Sequence, residues 1–388
     1  MTDTTAPAPR AVRAARRRDR RVYLHARPAL LALLAASRRR PVLRLGRRTV
    51  LINDTDTYRY TLTRVPLDRT AAGTTGGAAR ELAPRGASLL FDQRGAAHRE
   101  ARRAVADSLG AAGVERLRPT WRALLARRLA PLAAGHDLDL VPLARELAGA
   151  TVCRLVDAAP GTDPMALASA AADAAAAAVR DHLPGPRLPG TAQLAAMAAN
   201  RLRALLADRT LAGPEEAAQH AMLAVAAITT TVAALPRAAA WCATAHLWPC
   251  AADDSLRPAL VRELLRVTAP SPLLPRVSAA NTTLAGHRVC AGDRLLLVAR
   301  HAARAHDTPP DAHCPADPAT AQLVFGAGPH ACPGAPLARA QLADTLAALA
   351  PYRPTVVRAR VDRRAALPSW RTLTLRATTS PSTPVGQR

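Results

Sequence analysis

The chain has 388 residues, of which 49% are hydrophobic, 21% charged and 3% aromatic. At roughly 100–200 residues per domain this allows two or three ordinary domains or one large one, and it argues against disorder from end to end. All 53 basic residues are arginine against 29 acids, a net charge of +24, so lysine Schiff-base chemistry and lysine-bearing phosphate loops are excluded. Six scattered cysteines form no regular framework, which argues against a disulfide-built secreted scaffold and for a reducing cytoplasm.

Arg10 to Arg21 is densely basic, and residues 1–22 are expected to form a disordered arm before a main body over 23–378 and a flexible tail over 379–388. The apolar stretch Pro28 to Ser37 runs directly into Arg38 to Arg40 without a small-residue cleavage pattern. It therefore reads as a helix and not as a signal peptide. Pro41 to Gly46 and Arg48 to Asn53 predict two short strands joined at Gly46 and Arg47. The glycine-rich Ala71 to Gly77 predicts a mobile loop, and Ala96 to Leu109, Pro119 to Leu132 and Leu138 to Val156 predict helices.

An alanine-rich helix is expected between Pro160 and Pro189, and Gly213-Pro-Glu-Glu opens a long central helix reaching about Leu247, with proline and acids where a helix start favours them. Its most apolar run, Ala221 to Leu235, is shorter than the roughly 20 residues that span a bilayer and contains three threonines, so no membrane association is expected. Thr282 to Val298 alternates like strands around turns at Gly286-His287 and Gly292-Asp293, and a helix follows from Pro336 to Ala350. The order predicts a mainly α body with small β-sheets in one large domain.

The sharpest chemical signal is Phe325-Gly-Ala-Gly-Pro-His-Ala-Cys-Pro-Gly334. A glycine-rich turn running into a helix N-terminus gives Cys332 backbone N–H groups and a favourable dipole, which suit a thiolate ligand or nucleophile. Upstream, Glu263 and Arg266 in Arg262-Glu-Leu-Leu-Arg266 share one helix face, and a proline-rich turn leads on to Arg276. In His98-Arg-Glu-Ala-Arg102 the four-residue spacing puts two cationic donors on one face.

In register and in their order along the chain, the three patterns resemble the cytochrome P-450 superfamily, over about Leu30 to Trp370. The resemblance implies haem b (iron protoporphyrin IX) between the long central helix and the cysteine loop. Cys332 would be the axial metal ligand, and Phe325 and Gly326 of its loop would join it in binding the cofactor. His330, His98, Arg102 and Arg276 would hold the propionates, and Glu263 with Arg266 would form a buried pair beneath the haem. It implies oxidation of a small or medium apolar molecule, held by the loop Thr70 to Leu90, Val225, Ala226, Leu273, Leu274 and Leu367 to Trp370. Electrons would come from a ferredoxin and its ferredoxin reductase, docking on Arg94, Arg103 and Arg339.

The chain departs from the pattern where the central helix usually carries an acid before a threonine: Thr229 replaces the acid and Thr230 is the threonine. A hydroxyl orders water but does not titrate near neutrality, which keeps open oxidative coupling or ring formation without oxygen insertion, or a peroxide-driven reaction. Both threonines could equally be satisfying their own helix. Pro333 offers no N–H to the sulfur, and Arg304 to Leu323 lacks the family's usual aromatic packing. A basic nucleic-acid binder is the distant alternative, opposed by dispersed arginines and few aromatics. A zinc site from His313, Cys314, His330 and Cys332 matches no common ligand spacing.

Overall fold

The computed structural model describes residues 8–82, 89–182, 190–206 and 213–378. The first half runs through helices α1 (Pro9–Ala26), α2 (Pro28–Ser37), α3 (Thr55–Arg64), α4 (Thr75–Leu82), α5 (Gly95–Leu109), α6 (Ala111–Arg128), α7 (Ala130–Ala133) and α8 (Leu140–Leu155). Then follow α9 (Pro164–His182), α10 (Thr191–Leu206), α11 (Pro214–Ala245), α12 (Trp248–Ala252), α13 (Arg257–Thr268), the single turns α14 (Ala299–Ala302) and α15 (Pro318–Ala321), and α16 (Ala335–Leu349).

Strands β1 (Val42–Leu45), β2 (Thr49–Ile52) and β3 (Leu67–Asp68) join β5 (Leu274–Ser278) and β8 (Arg294–Leu297) in one sheet of order β1-β2-β8-β5-β3, given that β4 (Leu138–Asp139), β6 (Thr282–Leu284) and β7 (His287–Val289) lie between in the chain. The expected hairpin is present, with Val42 opposite Ile52. β6 pairs with β7, and β4 pairs with β10 (Trp370–Arg376), which also pairs with β9 (Thr355–Val361). The mainly α, single-domain expectation holds.

The basic arm is corrected from Pro9 onward, since α1 is a helix docked on the core. Composition counted its arginines, but Ala15, Asp19, Val22 and Tyr23 form a buried stripe at helical spacing. Asp19 accepts from Arg237 Nε at 2.8 Å and lies 3.4 Å from Arg300, so one carboxylate ties α1 to α11 and α14. Residues 1–7 and the tail over 379–388 fall outside the described residues.

The expected mobile loop at Ala71 to Gly77 is also corrected, because α4 starts at Thr75 and contains Gly76 and Gly77. A Cβ on Gly76 would lie 2.0 Å from the Arg69 carbonyl oxygen, and one on Gly77 2.3 Å from that of Ala71. Close backbone approach, not mobility, requires these glycines. The helix expected from Pro119 begins instead at Ala111 and carries Pro119 inside it. An internal proline costs about 3 kcal/mol, which burial of Val114, Leu117, Trp121, Leu124 and Leu125 offsets.

Helix α11 is the spine. Gly213 caps it, Pro214 and two glutamates occupy its first turn, and it ends where His246 turns left-handed at φ 58°. By length and composition it is the one helix among the described residues able to cross a membrane, but α1, α8 and α9 pack against it and Arg237 within it is 1% exposed. A buried arginine held by Asp19 suits a core helix.

Candidate functional site

Between α11, α5 and the loop before α16 lies a cavity of about 780 Å³. The sequence Phe325–Gly334 builds its floor. A short 3-10 turn ends at Phe325, Gly326 and Gly328 take φ of 79° and 70°, and the Cys332 amide donates to the Phe325 carbonyl at 2.8 Å. Only glycine adopts such φ values without strain, so the loop folds tightly enough to aim Cys332 into the cleft. There its side chain is bare although protein surrounds the cleft. Burial pushes the thiol pKa up, while the Gly334 amide, then Arg102, Arg339 and the Ala335 amide, draw it down. Pro333 contributes no donor, and the amides at the start of α16 serve the sulfur instead.

One edge of the cavity gathers basic side chains from four places in the chain. His98 and Arg102 are one turn apart on α5, His330 stands two residues before the cysteine, and Arg276 comes from β5. The His98 and His330 rings meet at a tilt of 33° with centroids 3.8 Å apart, and Arg102 donates to the Ala331 carbonyl. Arg276 donates to Thr75 Oγ1 at 2.8 Å and to its neighbour's carbonyl, leaving a buried Nε unpartnered. Arg69, which no sequence pattern marked, lines the same edge.

Burial, and then repulsion led by Arg69, depresses the His330 pKa to about 3; burial and Arg102 lower His98. Burial likewise brings Arg276 to about 10 and Arg69 to about 9. These shifts share one physical cause, namely burial that disfavours the charged form where no counter-charge stands: His330 is neutral near pH 7 while the arginines stay charged, and no aspartate or glutamate is among the described residues lining the cavity. A flat dianion with a metal for Cys332 to ligate answers both the orphaned cations and the bare thiol. The residues present therefore fit haem.

The ceiling is α11. Val225, Ala226, Thr229 and Thr230 line the cavity as expected, together with Thr231, which sequence reading did not single out. The Thr229 hydroxyl donates to the Val225 carbonyl at 2.6 Å and that of Thr230 to the Ala226 carbonyl at 2.7 Å, so both are satisfied within their helix. Of the other expected walls, Thr75, Ala78, Leu90, Leu274 and Leu367 line the cavity. Leu273 does not, and Trp370 lies in the core instead, since β10 turns it inward. Part of the loop Thr70 to Leu90 lies outside the described residues.

Below the cleft, Glu263 and Arg266 are 2.6 Å apart and at most 1% exposed. Arg266 also donates to the carbonyls of Arg304, Thr308 and Pro309, and Glu263 accepts from the Ala316 amide. The aromatic-free segment after Arg304 is thus held by this pair through its backbone. Of the expected docking charges, Arg94 is paired with Asp68 at 3.1 Å and Arg339 lies over the Phe325 ring at 5.2 Å, while Arg103 is exposed. Arg339 also lines a second groove, of about 610 Å³, with Arg262, Pro258 and Gln322.

No family model matches the chain. Among curated proteins it is similar to the erythromycin C-12 hydroxylase of Saccharopolyspora erythraea, 41% identical over 98 residues, and the match spans 24% of each chain. Among solved structures it resembles the open cytochrome P450 EryK of S. erythraea, with a TM-score of 0.72 and 25% identity over 92% of this chain and 98% of that one. It also resembles ligand-free CYP164A2 of Mycobacterium smegmatis, with a TM-score of 0.74 and 25% identity over 94% of this chain and 100% of the other. With the cysteine loop, the Glu-x-x-Arg helix and the His-x-x-x-Arg helix set around one cleft in a fold shared along nearly the whole chain, this protein belongs to the cytochrome P450 superfamily.

Proposed function

We propose that the protein is a haem-thiolate monooxygenase that binds haem b and oxidises a small or medium apolar molecule, in the biosynthesis of a specialised metabolite. One observation carries the reading: a bare cysteine thiol at a helix N-terminus shares a deep cleft with buried cations that have no protein anion. Cys332 ligates the iron, and His98, Arg102, Arg276 and His330 hold the propionates. Bound haem supplies the redox-active iron that activates dioxygen. The chain's own contribution is to orient substrate between Val225, Ala226, Leu274 and Leu367 and to exclude water with these apolar walls. Similarity to an erythromycin hydroxylase supports the biosynthetic setting, and the six free cysteines support a reducing, cytoplasmic setting.

The test is the absorption spectrum of purified protein, reduced and exposed to carbon monoxide. Wild type is expected to give the thiolate-type Soret shift and Cys332→Ala to lose it. No haem, or a spectrum indifferent to Cys332, sinks the proposal.

Electrons are proposed to come from a ferredoxin, itself reduced by ferredoxin reductase. The groove over Arg262 and Arg339 supports this, because the two guanidiniums repel one another and Arg339 is within electrostatic reach of Cys332. An acidic partner relieves that repulsion. Arg262→Glu is expected to cut ferredoxin-driven turnover about tenfold at low salt and to leave dithionite reduction intact, with the deficit shrinking as salt screens the encounter. Equal turnover at low salt dismisses this docking face.

A second reading, oxidation without oxygen insertion, is favoured by the absent carboxylate: Thr229 stands where the family carries an acid, and no acid lines the described cavity.

A further inference from the structure

β3 runs antiparallel to β5 with Leu67 opposite Ser278 and Asp68 opposite Val277. The next residue along each, Arg69 and Arg276, therefore stand opposed at the edge of the cleft, an arrangement that disfavours like charges. Arg276 has Thr75 and a carbonyl to bond, and Arg102 has the Ala331 carbonyl. Arg69 is 7% exposed, lines the cleft and has no hydrogen-bond or ion-pair partner among the described residues. Its neighbour Asp68 gives its carboxylate to Thr70 and Arg94. The Arg69 backbone is pinned as well, since α4 packs Gly76 against its carbonyl too closely for any side chain.

We propose that Arg69 is a carboxylate-binding residue of the cleft, outside the set that the family motifs mark. The inference rests on the haem reading and adds a count to it. The described lining contains three guanidiniums, those of Arg69, Arg102 and Arg276, and no acid, whereas haem brings two propionates. One positive charge is left over, and an organic carboxylate is the ligand whose planar anion a guanidinium grips with paired hydrogen bonds. That carboxylate has two sources. It is a haem propionate, with Arg69 displacing a weaker partner, or it is the acid group of a substrate reaching this edge.

The experiment uses purified holoprotein as wild type, Arg69→Met and Arg69→Lys. Haem retention is followed by transfer to excess haem-free myoglobin, and binding by spectral titration with dodecanoate and, separately, dodecanol. A propionate partner makes the Met variant lose haem about ten- to hundredfold faster. A substrate partner leaves retention unchanged and weakens dodecanoate by a similar factor with dodecanol unaffected. In either case Arg69→Lys recovers part of the loss, because it keeps the charge without the fork. Overlap of the Met variant with wild type in both measurements overturns the proposal. Failure of the haem reading looks different, because wild type then carries no haem; calorimetry of dodecanoate with wild type and Arg69→Met decides the Arg69 proposal on that background.

Discussion

Glu263→Ala is expected to lower the free energy of unfolding by about 3–5 kcal/mol, because it strands a fully buried guanidinium. Arg266 is 0% exposed and has no route to solvent. Its remaining partners, the carbonyls of Arg304, Thr308 and Pro309 and the Thr308 hydroxyl, neutralise no charge. The loss also frees the Ala316 amide, which donates to Glu263 at 3.1 Å. Urea denaturation checks the value, and a cost below about 1 kcal/mol means the pair is not an anchor. The double variant Glu263→Leu with Arg266→Met is expected to be less damaging than Glu263→Ala, since removing both charges leaves nothing uncompensated. Haem retention follows stability here, as the segment after Arg304 leads directly into the cysteine loop.

What could be read from sequence followed from how locally each feature is encoded. Cys332, His330 and the glycines around them lie within ten residues, and His98 with Arg102 or Glu263 with Arg266 each share a helix turn, so spacing alone groups them. Arg69 could not be found this way. It meets Arg276 only because β3 pairs with β5, a contact across more than two hundred residues that no periodicity encodes. The basic arm failed for a related reason: a single Asp19 among arginines gains its meaning from Arg237 and Arg300, both distant in the chain. Cavity walls were partly legible where α11 supplied them and illegible at α10, whose Ala195 and Ala199 line the cleft.

Thr229→Glu is expected to raise dioxygen-driven product formation about a hundredfold and to leave peroxide-driven turnover within about twofold. Thr229 and Thr230 donate to carbonyls of their own helix at 2.6 and 2.7 Å, so each offers the cleft only oxygen lone pairs, and neither titrates near neutrality. Among the described residues lining the cleft there is no carboxylate to take protons from water and pass them on. Inserting one oxygen atom from dioxygen and releasing the other as water consumes two protons with two electrons, whereas hydrogen peroxide arrives with both. A proton supply at this position therefore helps the first route and not the second. Glutamate is also a better helix former than threonine, and partial burial on α11 raises its pKa toward the range where it can both give and accept. Equal gains with both oxidants point to a change in substrate fit and refute the proton argument. No gain with either assigns this chain to chemistry that draws no protons through α11, with Thr229 serving only its helix.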